Sequence, residues 1–348
     1  MSAAQQLEGL DLEDGWKVAK LPKHQSSSGG TFSVPYSVHD KNGKPHFLKA
    51  FDFSQAFQPG QDVIRVLANL TALYEHERDI LEFFKEQRLS RVVTAIKHGY
   101  VRVPGLSAQD GTVYYLIFEL ASCDVRRQID IQQRLDCVWC LRVLDDVTLG
   151  LWQAHRQAIA HQDLKPSNVL VYQDNVSRVA DFGRASRKGS QIWIDKLNVA
   201  GDRTYAPPEL LYSWLHSDFT IRRMGTDLYL LGSLAAFMFS GVSLTPAMMA
   251  RLDPQFHPTN WTGTYEQVQP HIQRAFAQAV AALAPEIDPL VRNDVVVIIK
   301  ELCNPDIAAR GHPRAIGRPD QYSLERYKSR FDLMLKEASI AARIRKTA

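Results

Sequence analysis

Hydrophobic positions in the first 120 residues alternate with polar ones over short runs, a pattern that predicts β-strands. Four such runs occur, at residues 32–38, 46–53, 92–103 and 114–120. The first two are separated by a turn that contains Asn42-Gly43, a strong hairpin signal. Residues 61–87 instead place hydrophobic side chains three and four positions apart, which predicts one long helix. This part of the chain is therefore expected to be a small β-rich unit with one main helix.

Beyond residue 120 the hydrophobic spacing becomes mostly helical. Helices are predicted at about residues 134–156 and 225–239, and several more follow toward the end of the chain. Residues 228–239 form the most apolar stretch, but a membrane-spanning helix needs about 20 such residues. We interpret that stretch as a buried helix. The whole pattern predicts an α+β protein in which a small β-rich lobe precedes a larger, mostly helical lobe.

Composition and charge narrow the possible functions. The chain has 348 residues, of which 45% are hydrophobic and 23% charged, as is usual for a globular protein and unlike a disordered one. The net charge of +3 is too small to indicate a nucleic-acid partner. The N-terminus lacks the basic and apolar regions of a secretory signal. We therefore expect a soluble, cytoplasmic protein without a nucleic-acid or membrane partner; its oligomeric state is not predicted.

Two short motifs carry the candidate chemistry. The first is HQDLKPSN at residues 161–168, and the second is DFG at residues 181–183. Asp163, Asn168 and Asp181 supply oxygen atoms of the kind that Mg²⁺ prefers. Phosphoryl transfer needs metal ions that neutralise charge, a cation on the non-transferred phosphates, and a carboxylate that orients the acceptor hydroxyl. The two motifs together therefore indicate metal-assisted phosphoryl transfer.

These motifs, in this order and with Lys165 in place, resemble the catalytic and metal-binding loops of Ser/Thr protein kinases. The resemblance implies a two-lobed protein-kinase-like fold, ATP and Mg²⁺ as cofactors, and a protein substrate with a Ser or Thr acceptor. It implies catalytic roles for Asp163, Lys165, Asn168 and Asp181, of which Asn168 and Asp181 would hold the metal. The implied ranges are an N-terminal extension at 1–25, an N-lobe at 26–120, a C-lobe at 121–315 and a C-terminal helical tail at 316–348.

The resemblance extends to the nucleotide site. Residues 47–51 alternate as a strand, and Lys49 matches the family's phosphate-binding lysine. Glu77 on the following helix is expected to pair with Lys49, and it fits better than Glu75 because the residues that follow it match those of kinases. The other nucleotide-binding residues that the resemblance implies are Gly29, Gly30, Phe32, Glu119 and Ala121.

Further matches lie in the second half of the chain. Residues 201–209 resemble the end of a kinase activation segment, and Asp227 matches the aspartate that braces the catalytic-loop backbone. Arg310 matches a late family arginine, which is expected to pair with Glu209. Removing one partner of such a buried pair costs roughly 3–5 kcal/mol of stability. The resemblance thus covers about residues 26–315.

The chain also departs from the family pattern at several positions. The Gly-rich loop is degraded, with Ser28 and Ser33 at the outer glycine positions. Phe47 replaces a small residue that normally lies over the adenine, and it is expected to narrow the nucleotide pocket. Asp202 stands where Ser/Thr kinases have a threonine, and Gln162 replaces the arginine that precedes the catalytic aspartate. None of these changes removes a charged group that the chemistry requires.

Gln162 bears on regulation. In kinases with arginine at this position, the guanidinium pairs with a phosphate on the activation segment and so orders the segment. Glutamine is neutral and cannot form this pair, so we expect residues 181–209 to be ordered without phosphate. Any phosphate added there would be a by-product; the candidate positions are Ser186, Ser190 and Thr204. In the alternative, another cation supplies the charge; the candidates are Arg184, Arg187 and Lys188.

Three functions stay open on the sequence alone. The first is an active Ser/Thr protein kinase, favoured because every charged group of the catalytic set is present. The second is a pseudokinase that acts as a nucleotide- or protein-binding module, which the degraded Gly-rich loop supports. The third is a kinase-fold phosphotransferase for small molecules. Lys165 argues against the third, and so does the segment ending at Glu209, which shapes a peptide platform in protein kinases.

Overall fold

A computed structural model describes residues 1–21, 33–131 and 136–347 of the chain. Its strands are β1 (Lys17–Ala19), β2 (Ser33–His39), β3 (Pro45–Phe51), β4 (Ala95–Arg102), β5 (Thr112–Glu119), β6 (Cys123–Asp124), β7 (Ile159–Ala160), β8 (Val169–Val171), β9 (Ser177–Val179) and β10 (Ser186–Arg187). Its helices are α1 (Val63–Glu86), α2 (Val125–Ile131), α3 (Cys137–Arg156), α4 (Pro208–Leu211), α5 (Gly225–Ser240), α6 (Leu244–Met249), α7 (Tyr265–Leu283), α8 (Arg292–Leu302) and α9 (Glu325–Thr347).

The small lobe is built on a five-stranded antiparallel sheet with the order β1-β2-β3-β5-β4. The predicted hairpin is confirmed as the connection between β2 and β3. In its turn, Asp40 Oδ1 accepts hydrogen bonds from the backbone N–H groups of Asn42 and Lys44, at 2.8 and 2.9 Å. Gly43 takes the left-handed conformation, with a φ of +76°, that this turn requires.

β4 is shorter than the run predicted at residues 92–103. Val92 leaves the sheet and pairs with Val179 of β9, and the register of β4 against β5 shifts between Ala95 and Lys97. The hydrophobic pattern continues through this change of partner, so the pattern alone does not mark where the strand begins.

Helix boundaries follow the capping residues. α1 begins two residues later than predicted because Asp62 caps it, accepting a hydrogen bond from the N–H of Arg65 at 3.2 Å. α3 begins three residues later than predicted because Asp136 caps it in the same way through the N–H of Val138, at 2.9 Å. α5 ends where Gly241 takes the left-handed conformation.

Residues 1–21 are part of the small lobe. β1 pairs with β2 at the edge of the sheet, and Leu7 and Val18 are buried against the outer sheet face. The hydroxyl of Tyr36 donates a hydrogen bond to the carbonyl of Ala4 at 2.9 Å. The sheet therefore takes one strand, β1, from the residues that precede the boundary predicted at residue 26.

The large lobe is helical and packs around α5, which is buried on nearly all sides. α3 packs against α5 and also against α9, the helix predicted as a tail. The buried residues of α9 recur at helical spacing and are Tyr327, Phe331, Met334 and Ala338. Among the described helices, none combines the length and the apolarity that a membrane crossing requires. The predicted α+β fold with two lobes is confirmed.

Phe182 lies in the packed core between the lobes. Its ring centroid is 4.8 Å from that of Phe84 on α1 and 4.7 Å from that of His161, in both cases edge to face. These two neighbours belong to different lobes, so Phe182 joins the lobes beside the cleft in which the motif residues lie.

Candidate active site

Lys49 lies at the inner end of the cleft. Leu48 and Ala50, its neighbours on β3, are fully buried on the outer side of the sheet, so alternation places Lys49 on the cleft side. Its Nζ donates hydrogen bonds to Glu77 Oε1 at 2.8 Å and to Asp181 Oδ1 at 3.0 Å. The pairing predicted with Glu77 is therefore confirmed, and Glu75 is exposed.

Charge stabilises this cluster. Burial alone would lower the pKa of Lys49, but the carboxylates of Asp181 and Glu77 outweigh it and raise the pKa. The ammonium of Lys49 in turn lowers the pKa of Asp181 to about 2. At neutral pH, Lys49 is therefore a cation and Asp181 an anion, as binding of phosphates and of a metal requires.

The residues of the first motif meet on the loop between β7 and β8. Lys165 Nζ lies 3.2 Å from Asp163 Oδ2. Asn168 Nδ2 donates to the Asp163 carbonyl at 2.8 Å and to its Oδ2 at 3.2 Å. Because the amide nitrogen of Asn168 makes these bonds, its carbonyl oxygen remains the atom suited to a metal ion. The predicted set of Asp163, Lys165 and Asn168 is thus brought together.

Asp227 braces this loop, as the sequence predicted. Its fully buried carboxylate accepts hydrogen bonds from the backbone N–H groups of His161 at 2.6 Å and Gln162 at 2.8 Å. His155 Nε2 on α3 lies 2.8 Å from the same carboxylate, a contact that the sequence did not reveal. Gln162 has a φ of +67°, an uncommon conformation for a non-glycine residue, and these bonds hold it there.

The end of the segment at residues 201–209 is fixed against Asp163. The backbone N–H of Asp202 donates to Asp163 Oδ1 at 2.7 Å, and Lys165 Nζ lies 3.5 Å from Asp202 Oδ2. A Cβ atom on Gly201 would lie 2.6 Å from Asp163 Oδ1, so only glycine allows this close approach. The replacement of threonine by Asp202 therefore adds a second carboxylate beside Lys165.

Two buried arginines anchor the segment at residues 181–209. Arg310 donates to both carboxylate oxygens of Glu209, at 2.7 and 2.8 Å, so the predicted pair is confirmed. Arg223 donates to Gln162 Oε1 at 3.1 Å and to the carbonyl of Asp195 at 2.7 Å.

Arg223 is a cation that the sequence did not reveal. The structure places its guanidinium beside Gln162. It lies on a π-helical turn, Thr220–Met224, which leads into α5. Arg222 on the same turn donates to the Asp195 and Leu197 carbonyls, at 3.3 and 2.9 Å. A basic pair 60 residues along the chain from Gln162 carries no local pattern that would indicate this contact.

A cavity of about 330 Å³ lies between the lobes beside this cluster. Its lining includes Pro35, Phe47, Lys49, Val93, Phe118, Glu119, Ala121, Asn168, Leu170 and Asp181. The ring centroids of Phe47 and Phe118 are 6.3 Å apart, so Phe47 occupies the side of the cavity where the sequence predicted narrowing. The side chain of Glu119 pairs with Arg178 at 2.7 Å. The predicted nucleotide-binding residues Gly29, Gly30 and Phe32 lie outside the described residues.

The donor set of the cavity fits ATP and Mg²⁺. The side chain of Asp181 is 43% exposed and ionised, so it offers a carboxylate to Mg²⁺. The side-chain carbonyl of Asn168 offers a second oxygen ligand. Lys49 supplies a cation for phosphate oxygens. Asp163 supplies a carboxylate within the same cleft. The geometry is therefore suited to phosphoryl transfer.

Comparisons with known proteins agree with this geometry. The family model described as the protein kinase domain matches residues 30–316, more than half of the chain. An Aurora kinase of Debaryomyces hansenii is 25% identical over 198 residues, which cover 55% of this chain and 43% of that protein. The mitogen-activated protein kinase pmk-1 of Caenorhabditis elegans is 28% identical over 146 residues, which cover 42% of this chain and 36% of that protein. The matched stretches therefore span less than half the length of either relative.

Proposed function

This chain belongs to the protein kinase family, and from that premise we propose that it transfers the γ-phosphoryl group of ATP to Ser or Thr hydroxyl groups of a protein substrate, with Mg²⁺. The observation that carries the proposal is the cluster in which Lys49 contacts both Glu77 and Asp181. A lysine held between two carboxylates at the inner end of a cleft is suited to binding phosphates.

Each residue of the cluster receives a role. Bound Mg²⁺ would neutralise charge on the phosphates, and Asn168 and Asp181 are the residues that would hold it. Lys49 binds the non-transferred phosphates, and Glu77 holds Lys49 in position. Asp163 orients the acceptor hydroxyl and takes up its proton, while Lys165 places positive charge beside the transferred group.

The activity is proposed not to depend on phosphate in the activation segment. Arg223 is 3% exposed and reaches Gln162, the carbonyl of Asp195 and, at 3.8 Å, its carboxylate. The Ser186 hydroxyl, one of the candidate phosphate acceptors, is buried and donates to Asp195 Oδ1. These contacts hold the middle of the segment with groups already present in the chain, and they support ordering without phosphate.

One observation favours the pseudokinase alternative. Phe47 reaches into the cavity toward Phe118, and a large ring at this position reduces the space for an adenine. The same ring is also suited to stacking on a base, so it disfavours nucleotide binding only if it cannot turn aside. The two functions therefore differ in whether phosphate is transferred, which can be measured directly.

The test is incubation of the purified protein with labelled ATP and Mg²⁺, alone and with generic protein acceptors. Asp181→Ala should lower transfer by several orders of magnitude, because it removes a metal ligand from a solvated cleft. Its matched control is Asp110→Ala, which removes an exposed carboxylate from the loop between β4 and β5. Equal transfer by the parent and Asp181→Ala would contradict the proposal. Label that appears only on small hydroxyl compounds would favour a small-molecule phosphotransferase.

A further inference from the structure

A tight turn follows directly after the residues that contact Asp163. The N–H of Thr204 donates to Asp202 Oδ1 at 3.0 Å, and the N–H of Tyr205 donates to the Asp202 carbonyl at 3.1 Å. Arg203 and Thr204 at the tip of the turn are exposed. The N–H of Asp202 is itself bonded to Asp163, the residue proposed to orient the acceptor hydroxyl. Arg203 is the next residue after Asp202, so it lies close to the position of that hydroxyl.

Two more arginines lie near this turn or the cleft, both on α2. Arg126 donates from Nη2 to the hydroxyl of Tyr205 at 2.8 Å, so α2 and the turn are in direct contact. Arg127 lines the cleft together with Lys165 and Ser167. We name Arg126, Arg127 and Arg203 the acceptor rim. These three cations come from two separate elements that flank the same catalytic residues.

Within the described part of the chain, the charge of Arg203 is not balanced by a carboxylate. Asp124 is 7% exposed, and its Oδ2 lies 3.7 Å from Arg127 Nε. Asp202 is already paired with Lys165. The guanidinium of Arg203 has no hydrogen-bond or ion-pair partner among the residues that the structure describes. Arg203 thus presents an unpaired positive charge to a bound peptide, and Arg126 and Arg127 lie on the neighbouring helix α2.

We propose that the protein substrate carries Asp or Glu within about three residues of its acceptor Ser or Thr, a distance of roughly 10 Å in an extended chain. This inference rests on the proposed function and names the substrate class for the same site. A carboxylate there pairs with the acceptor rim, whereas a lysine or arginine meets like charge and is excluded. Arg203 is the residue that contributes most, because its charge is not used within the described part of the chain.

Binding of peptides to the full chain tests the proposal without relying on phosphate transfer. The peptides carry alanine at the acceptor position and Asp, Lys or Ala at the three positions on either side of it. At low salt, we expect the Asp peptide to bind about tenfold more tightly than the Lys peptide, measured by fluorescence anisotropy. Added salt should reduce the difference, because the rim is exposed to solvent.

Variants of Arg203 locate the effect. Arg203→Glu should reduce the ratio of the two affinities by about fivefold or more, and Arg203→Lys should restore most of it. Arg102→Glu is the matched control, since it reverses an equally exposed charge at the end of β4 in the other lobe and should leave the ratio unchanged. Thermal unfolding of each variant shows that the chain remains folded.

The outcomes separate the two proposals. Equal or tighter binding of the Lys peptide, no measurable binding of the Asp peptide, or an unchanged ratio in Arg203→Glu overturns the acidic preference. Phosphate transfer is then measured with the same peptides carrying serine. If the Asp peptide binds with the expected preference but receives no phosphate, the acidic preference stands and the proposed kinase activity fails.

Discussion

Arg310 and Arg223 both anchor the segment at residues 181–209, and both are buried, with exposures of 0% and 3%. The groups that surround them differ. Arg310 meets a carboxylate, Glu209, through two short bonds. Arg223 meets mainly neutral oxygens, the Gln162 amide and the Asp195 carbonyl, with a carboxylate oxygen only at 3.8 Å. Burial alone would lower the pKa of both arginines. The carboxylate of Glu209 outweighs burial and raises the pKa of Arg310. Burial and the charge of Arg222 lower the pKa of Arg223 to about 10.

The different partners of the two arginines imply different roles, one in the stability of the fold and one in the order of the segment. A buried charge with a bidentate partner is strongly tied to the folded state, because breaking the pair leaves the other charge buried and alone. A buried charge held by dipoles is less stable where it lies, although it is still protonated at neutral pH. We therefore expect Arg310 to determine whether the large lobe folds, and Arg223 to determine how the middle of the segment is ordered.

Replacing Arg310 should have the largest effect. Arg310→Met leaves Glu209 buried without its partner, so unfolding in denaturant should show a loss of roughly 3–5 kcal/mol. The double variant Glu209→Leu with Arg310→Met removes both charges and should recover part of this loss. A loss below about 1 kcal/mol in the single variant would contradict the anchor role.

Replacing Arg223 should affect activity more than stability. Arg223→Met removes the two bonds to Gln162 and Asp195, and we expect a loss of about 1–2 kcal/mol in unfolding free energy. Transfer to a protein acceptor should fall by tenfold or more, because the segment is no longer held against the catalytic loop. Hydrogen exchange should increase at residues 186–197. If Arg223→Met costs as much stability as Arg310→Met, the two anchors do not differ.

Removing only the charge of Asp195 should have a smaller effect. Asp195→Asn keeps the carbonyl that accepts from Arg223 and an oxygen that can accept from Ser186. Because the carboxylate of Asp195 lies 3.8 Å from Arg223, we expect a loss below about 1 kcal/mol in denaturant unfolding. A loss equal to that of Arg223→Met would show that this charge, and not the backbone contact, holds the arginine.

Removing phosphate from the segment should have the smallest effect. Treatment with phosphatase should leave most of the transfer rate on a protein acceptor, because Arg223 is already satisfied by groups of the chain. The triple Ala variant at Ser186, Ser190 and Thr204 should behave in the same way. A tenfold loss in both would mean that a phosphate orders the segment after all.

Local signals in the sequence predicted much of the fold and the inner part of the site. The Asn42-Gly43 turn predicted the hairpin, and the resemblance to kinases around Lys49 and after Glu77 predicted the contact between these two residues. Asp62 and Asp136 carried capping signals that would have placed two helix starts correctly. These features depend on residues close together in the chain or on motifs with fixed spacing.

The features that were missed depend on contacts between distant residues. Arg223 contacts Gln162 and Asp195 because the π-helical turn before α5 packs against the segment. The local hydrophobic pattern of the sequence does not indicate this packing. The strand at residues 17–19 has only three residues, of which only the valine is buried, so it is too short to show an alternating pattern. Side-chain roles in the Gly-rich loop stay predictions.

The packing of α9 against α3 has a consequence for synthesis. Tyr327, Phe331, Met334 and Ala338 complete a core whose other side is formed by residues 137–156. At about 5–20 residues per second, a ribosome needs roughly 10–35 seconds to proceed from the end of α3 to Ala338. During that interval the surface of α3 that α9 will cover remains open to water or to a chaperone. The core of the large lobe is therefore completed only after α9 has been synthesised.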